Sequence, residues 1–197
     1  SAIIRNAHRV NLGESPELKG NQGDFFFLCR RDAQRAVSTV LELCKTRLPD
    51  NMHIPTDQIQ VLTPTRKGLC GTVNLNRLLQ EALNPKAPGK REILWGERVF
   101  RVGDRIMQTR NDYDVVWQKG DGTVGTGMFN GDVGRIVEID QSGEWLALDF
   151  DGRTAPYSTE MLSEIDLAYA QTVHKAQGSE YRCVVLAAMP AAPGLMV

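Results

Sequence analysis

Hydrophobic positions in the first 85 residues alternate between short apolar runs and helical stripes. The runs at 24–28 and Ile59–Thr63 have the length and composition of buried strands. Between them, from an N-cap at Asp32, apolar residues recur every three or four positions until Pro49, which predicts an amphipathic helix. A second helical stripe covers residues 75–83. Strands separated by helices predict a parallel sheet with helices packed on it.

The pattern changes after Pro88-Gly89. From about residue 97 to residue 157, short β-rich runs alternate with turn signals such as Asn130-Gly131 and Asp151-Gly152, which are typical of hairpins. Closely spaced short strands predict a small antiparallel barrel, and we expect its glycine-rich segment 120–127 to be a mobile loop. Beyond Asp166 the first pattern returns, with a strand end at 166–170, a short helix at 172–177 and a strand at 183–188. We therefore predict a β-barrel inserted into an α/β domain.

Composition restricts the class of protein. The chain has 197 residues, of which 42% are hydrophobic and 24% charged, as in an ordinary soluble globular protein. The chain is long enough to form a core without metal or disulfides. Its apolar runs are too short to span a bilayer, and the N-terminal residues lack a signal-peptide core, so we expect a cytoplasmic location and no membrane partner. The four cysteines are widely spaced, and we predict that they are reduced core residues.

The net charge of −1 conceals an uneven distribution. A net charge near zero argues against a polyanionic partner. However, residues 86–110 contain seven basic and three acidic side chains, whereas residues 132–166 contain nine acidic and two basic ones. Two interpretations stay open: opposed functional patches, or solvated strand faces that differ in sign.

Signatures of a complete catalytic site are absent from the sequence. There is no G-x-x-x-x-G-K-[ST] phosphate loop and no G-x-S-x-G motif, and no two histidines have the spacing of metal ligands. The chain should therefore lack a complete nucleotide-hydrolysing site. Asp149 and Asp151 could form a carboxylate dyad, but a hairpin turn is the simpler interpretation of Asp-Phe-Asp-Gly.

The segment 171–180, QTVHKAQGSE, places a hydroxyl, an imidazole and an ammonium group together after a predicted strand. If a helix begins here, its free N–H groups and positive dipole end would suit a phosphate. The alternative is structural: Thr172 caps the helix, Lys175 is solvated and His174 makes a hydrogen bond in the core.

Residues 166–180, DLAYAQTVHKAQGSE, resemble motif V of superfamily-one DNA helicases of the RecD and TraA type. Three further parts of the chain resemble elements of that family in the same order. They are the stretch after motif IV (1–11), the next strand–loop–helix motif (60–68 with 75–80) and the SH3-like barrel (100–113 with 130–134). The resemblance covers nearly the whole chain.

This resemblance implies an α/β fold: a RecA-like (P-loop NTPase-type) second helicase domain with a parallel sheet, at 1–96 and 160–197. It also implies an inserted SH3-like antiparallel β-barrel at 97–159. The phosphate loop and magnesium-binding motif would precede Ser1, and motif VI would follow Val197. We thus expect the C-terminal part of an ATP-dependent 5′-3′ DNA helicase or translocase. ATP and Mg²⁺ would serve the full-length parent. The fragment alone would bind neither, would have no complete catalytic set or metal site, and would not hydrolyse ATP.

The resemblance also implies partners and site residues. Partners would be single-stranded DNA, the N-terminal RecA-like domain of the parent chain, and possible repair or nuclease subunits. DNA contacts would come from Thr63, Arg66, Thr172, His174, Arg101 and Arg105, and nucleotide contacts from Gln177, Gly178 and Glu180, with Glu180 accepting from ribose hydroxyls.

Two other classes of function stay open. One is a non-catalytic SH3-like module that binds single-stranded nucleic acid or protein. The other is a nuclease that uses Asp149, Asp151 and Glu138.

Overall fold

The structure is a computed structural model that describes residues 1–18 and 23–189. Its helices are α1 (Ala2–Asn11), α2 (Ala33–Glu42), α3 (Leu48–Met52) and α4 (Thr72–Leu83), with a π-helical turn at Leu43–Arg47 and 3-10 turns at Thr56–Gln58 and Thr159–Glu164. Its strands are β1 (Ile59–Thr63), β2 (Glu92–Trp95), β3 (Arg98–Arg101), β4 (Arg105–Gln108), β5 (Asp112–Gln118), β6 (Val124–Met128), β7 (Val133–Ile139), β8 (Trp145–Phe150), β9 (Arg153–Ser158), β10 (Ile165–Leu167), β11 (Ala170–Thr172) and β12 (Cys183–Leu186).

A three-stranded parallel sheet confirms the predicted parallel pairing. Its order is β11-β1-β12, with β1 parallel to both neighbours. Helix α4 buries Leu75 and Leu79 completely in the core next to this sheet, which also holds Val61. Asp32 caps α2 as predicted, because its Oδ1 accepts a hydrogen bond from the Arg35 backbone N–H at 2.8 Å.

Most of the β-rich segment forms a seven-stranded antiparallel sheet in the order β10-β4-β7-β8-β9-β5-β6, while β3 pairs with β2 in a separate two-stranded antiparallel sheet. Its core contains fully buried aromatic side chains, and the Tyr157 hydroxyl donates to Gln108 Oε1 at 2.9 Å. The segment 120–127, predicted to be a loop, instead contains a tight turn and β6, with Gln118 paired to Val124. Gly125 there serves packing, because a Cβ on it would lie 2.3 Å from the Trp117 ring.

The two sheets are joined within a few residues of each other. Strand β10 pairs with β4 in the antiparallel sheet, and β11 begins three residues after β10 ends, in the parallel sheet. The fully buried carboxylate of Asp104 also connects them. It accepts hydrogen bonds from Gln80 Nε2 at 2.6 Å, Asn84 Nδ2 at 2.8 Å, the Arg101 N–H at 2.6 Å and the Tyr169 hydroxyl at 2.8 Å. The domain boundaries at 96/97 and 159/160 stay a prediction.

Two local predictions are wrong. Residues 24–28 are not a strand: Phe26 and Phe27 are 46% and 42% exposed, and the Asp24 carboxylate instead accepts the Ala2 N–H at the start of α1. An apolar run becomes a strand only where a neighbouring strand pairs with it. Cys29 is exposed rather than part of the core.

Among residues 1–18 and 23–189, no helix combines the length and hydropathy of a membrane span.

Candidate DNA-binding and nucleotide-binding surface

Two connecting segments meet at the carboxyl edge of the parallel sheet. The 64–71 loop follows β1, and the motif V turn, residues 173–178, follows β11. Thr63 and Thr172 are register partners at the ends of these strands, and the Thr63 carbonyl accepts the Val173 N–H at 3.1 Å. The carboxyl edge of a parallel sheet is the usual place for ligands in such folds. The segments that carry the predicted motif V and loop residues are therefore adjacent.

The motif V turn is a series of tight turns, so the helix predicted at 172–177 is wrong. The Ala176 N–H donates to the carbonyls of Thr172 and Val173 at 3.2 Å each. The Thr172 hydroxyl accepts the Lys175 N–H at 3.3 Å. Because no helix begins here, no helix dipole is available to attract a phosphate. A phosphate contact at this turn would have to come from exposed side chains. His174 and Lys175 are both exposed.

Thr63 has a different place from the one predicted. Its side chain is buried, and its hydroxyl donates to the Cys70 carbonyl at 2.7 Å. Thr63 thus fixes the 64–71 loop instead of presenting a free hydroxyl to DNA. Arg66 lies on the exposed side of that loop, 3.8 Å from the Asp166 carboxylate with its own side chain 70% exposed. Arg66 remains available to a phosphate.

The three residues predicted to contact nucleotide, Gln177, Gly178 and Glu180, are all exposed at the end of the motif V turn. Gly178 has a φ of +82°, which favours glycine at this position. The Glu180 carboxylate has the chemistry to accept hydrogen bonds from ribose hydroxyls. Within the described ranges, no three His, Cys, Asp or Glu side chains form a group that could hold a metal ion.

Arg101 is buried, which contradicts its predicted role as a DNA contact. Its guanidinium bonds to Glu81 and Glu92 at 3.0 Å each and to the Asn84 carbonyl at 2.6 Å. Burial opposes the charge, but the hydrogen bonds that the guanidinium donates to these two carboxylates raise the pKa of Arg101 above its ordinary value. Arg101 ties β3 to α4 and β2.

Arg105 also faces the interior of the molecule. Its Nη1 donates to the carbonyls of Asp57 and Ile59 at 3.3 and 3.2 Å, next to a cavity of about 240 Å³ between the two sheets. Burial lowers the pKa of the Arg105 guanidinium. Arg105 thus joins the start of β4 to the chain entering β1, and its role as a DNA contact stays a prediction.

The basic and acidic stretches of the sequence pair with each other. Arg98 forms an ion pair with Asp166, and Arg110 forms one with Glu164. These two pairs connect residues 86–110 with residues 132–166, whereas Arg101 pairs with Glu81 and Glu92 outside the acidic stretch.

The acids of the nuclease alternative have structural positions. Asp149 lies in the β8 ladder opposite Arg135 and Thr154, and Asp151 occupies the β8–β9 turn with a φ of +53°. They belong to no metal-holding group among the described residues. The hairpin interpretation of this segment is confirmed.

The sequence patterns missed one contact near the site. The Lys175 ammonium donates to Asn130 Oδ1 at 2.6 Å, which joins the motif V turn to the β6–β7 turn. Next to Asn130, the exposed side chain of Phe129 packs edge-to-face on Tyr113. The Asn130-Gly131 dipeptide predicted only a turn; no local signal links residues 45 positions apart.

Family models match two parts of the chain. The ATP-dependent RecD-like DNA helicase SH3 domain matches residues 75–150, and the UvrD-like helicase C-terminal domain matches residues 167–196.

Curated relatives point the same way. The ATP-dependent RecD2 DNA helicase of Deinococcus radiodurans is 40% identical over 127 residues, covering 64% of this chain and 16% of that protein. The RecBCD enzyme subunits RecD of Mycolicibacterium smegmatis and Haemophilus influenzae are 29% and 28% identical, covering 63% and 68% of this chain and 19% and 18% of those proteins. This chain thus spans less than a fifth of the length of these relatives.

Among solved structures, unliganded Pif1 from a Bacteroides species aligns with a TM-score of 0.38 and 16% identity, over 66% of this chain and 46% of that one.

Proposed function

Because the chain belongs to the RecD-type helicases, we propose that it supplies single-stranded DNA contacts and one side of the ATP site in an ATP-dependent 5′-3′ DNA helicase. Its α/β part would be the second RecA-like domain, at 1–96 and 160–197, with the SH3-like insertion at 97–159. ATP would bind against the N-terminal RecA-like domain of the parent protein, which would also supply the Mg²⁺ ligands. The fragment alone would not hydrolyse ATP. The parent protein would act in DNA repair or recombination, alongside repair or nuclease subunits.

One observation carries this proposal: the 64–71 loop and the motif V turn lie side by side at the carboxyl edge of the parallel sheet. The DNA candidates there are Arg66 and His174, which are exposed, and Thr172, which is partly exposed. Hydroxyl, imidazole and guanidinium groups bind phosphate without reading bases, which suits a protein that moves along any sequence. Gln177, Gly178 and Glu180 continue the same turn, so DNA and nucleotide would contact neighbouring residues of a single segment.

Binding of a fluorescent oligothymidylate, measured by anisotropy at several salt concentrations, tests the DNA part of the proposal. We expect weak, salt-sensitive and sequence-independent binding. His174→Ala should weaken it about ten-fold or more, because a hydrogen bond to a charged group contributes about 1.5–3 kcal/mol and 1.4 kcal/mol is a factor of ten. His8→Ala is the matched control: it removes an equally exposed histidine from α1.

Two results would contradict the proposal. Unchanged binding by the double variant Thr172→Ala/His174→Ala would remove the motif V turn from the DNA surface. ATP hydrolysis by the 197-residue chain, measured by phosphate release, would show that the chain contains a complete site.

A further inference from the structure

Tyr113 and Phe129 form an aromatic pair that the antiparallel sheet leaves in solvent. Tyr113 lies on β5 and Phe129 follows β6, with ring centroids 5.7 Å apart and ring planes at 73°. The two side chains are 66% and 42% exposed. Edge-to-face contact of this kind is favourable, yet the outer faces of both rings have no cover within the described ranges.

The pair is held in a fixed position. Gly127 has a φ of +96°, and a Cβ there would lie 2.8 Å from Phe129 Cζ, so the ring packs directly against the glycine. The Phe129 N–H donates to Asp132 Oδ2 at 3.0 Å, and the next N–H, of Asn130, donates to Asn111 Oδ1 at 2.9 Å. An exposed ring fixed in this way loses little conformational entropy when something stacks on it.

The aromatic pair lies beside the proposed DNA surface. Lys175 of the motif V turn donates to Asn130, the residue after Phe129, at 2.6 Å. His174 is the residue before Lys175, and Phe129 is the residue before Asn130. This contact brings the backbone of the motif V turn close to the β6–β7 turn that carries Phe129.

Charge around the pair selects what can bind there. The carboxylates of Asp112 and Asp114 flank Tyr113 in sequence, and that of Asp132 bonds the backbone at Phe129. Negative charges repel phosphate, whereas the flat face of a nucleobase carries no net charge. The positive charge of Lys175 and the imidazole of His174 belong to the neighbouring turn.

We infer that Tyr113 and Phe129 stack against an unpaired nucleobase of a single strand whose phosphates contact the motif V turn. This inference rests on the proposed function and adds a second kind of contact to it. Every base offers a π-face, so stacking is tolerant of sequence. The pair would bind bases, and the turn would bind the backbone.

The test compares two labelled oligonucleotides of equal length, oligothymidylate and an abasic strand, at several salt concentrations. Tyr113→Ala and Phe129→Leu should each weaken binding of oligothymidylate about five-fold or more, from the usual contribution of base–aromatic stacking, and leave abasic binding unchanged. The slope of log affinity against log salt should stay that of the unmodified protein, since no phosphate contact is lost, whereas Lys175→Ala should reduce it.

Trp145→Ala is the matched control. Trp145 is 53% exposed and is the first residue of β8, which pairs with β7. Strand β7 begins at Val133, next to the Asp132 that bonds Phe129, and ends at Ile139, which pairs with the residue after Trp145. The control therefore removes an exposed aromatic from the opposite end of the same sheet, and it should bind both strands normally. Far-UV circular dichroism checks that each variant is folded.

The outcomes separate the two proposals. Normal oligothymidylate binding by Tyr113→Ala and Phe129→Leu, with loss in His174→Ala, would overturn the stacking inference and leave the proposed function standing. Equal loss on both strands would also overturn it, because a base would not be the partner. If the unmodified chain binds neither strand, or if Thr172→Ala/His174→Ala binds normally, the proposed function itself fails.

Discussion

Replacing Asp104 with asparagine tests the buried polar contact that joins the two sheets. The carboxylate accepts four hydrogen bonds, two on each oxygen. An asparagine amide has one accepting oxygen and an NH₂ group that only donates. Whichever oxygen is replaced, two donors lose their acceptor. The Tyr169 hydroxyl can rotate and accept from the new NH₂, but an amide or backbone N–H cannot, so at least one buried donor stays unsatisfied.

The expected change in the free energy of unfolding is the difference between two opposing contributions. A buried donor left without an acceptor costs about 1–3 kcal/mol, and hydrogen bonds to charged groups contribute about 1.5–3 kcal/mol each. Burial, which raises the pKa of Asp104 despite its four donors, works in the other direction, because an amide needs no charge desolvated. We expect Asp104→Asn to lower the free energy of unfolding by about 1–3 kcal/mol.

Urea unfolding at pH 7, followed by circular dichroism and tryptophan fluorescence, measures this change. Tyr169→Phe removes one of the four donors and should also destabilise the protein. Because both changes act on one network, the double variant should fall short of the sum by at least about 0.5 kcal/mol. Glu138→Gln is the control: this carboxylate is exposed on β7 and should shift stability by less than about 0.5 kcal/mol. Additive effects, or an Asp104→Asn variant as stable as the unmodified chain, would refute the reasoning.

Three further predictions concern the rest of the chain. Hydrogen bonds from the Ser142 hydroxyl and from backbone amides of its own turn lower the pKa of Asp140 from 3.8 to about 2. The stabilisation that the ionised carboxylate gives to the folded state is therefore present above pH 3.8 and is lost as the pH falls toward 2. In an acid titration, the free energy of unfolding should fall less steeply for Asp140→Asn than for the unmodified chain. Burial raises the pKa of Cys44 to about 12 whereas Cys29 is exposed, so a thiol reagent at pH 8 should label Cys29 first and Cys44 only on unfolding, and a fast phase that survives Cys29→Ser would contradict this. In Gly134→Ala the new Cβ would lie 2.4 Å from a β8 carbonyl oxygen, which should cost about 1–3 kcal/mol in thermal unfolding, whereas Gly120→Ala meets nothing within 4 Å and should be nearly neutral.

Local signals predicted the elements whose formation depends on nearby residues. Asp32 marks the start of α2, β1 is found at its predicted bounds, and the Asp151-Gly152 turn joins β8 to β9. Capping, strand length and turn chemistry are properties of a few consecutive residues, so a single sequence contains them. The segment 24–28 shows the limit: its apolar run has strand propensity, but no neighbour pairs with it among the described residues.

The candidate site was predicted in part, for a similar reason. The exposed positions of Arg66 and His174 follow from loops that leave a sheet edge. The burial of Arg101 depends on Glu81 and Glu92, which lie on other elements, and alternation along β3 contains no information about them. Basic residues in a strand predict positive charge. Tertiary packing decides whether that charge pairs with a carboxylate or stays free to bind a phosphate.

The motif V turn is connected to the antiparallel sheet at two points, and these connections would matter in the proposed helicase. Upstream, β10 pairs with β4 and is followed at once by β11; within the turn, Lys175 bonds to Asn130. Since Tyr169, between β10 and β11, also bonds the Asp104 carboxylate, a rotation of the antiparallel sheet would carry the turn with it. The antiparallel sheet would then set the position of the proposed DNA contacts. Loss of the Asp104 contact should loosen the sheet and the turn together, while loss of the Lys175 contact should release the turn alone.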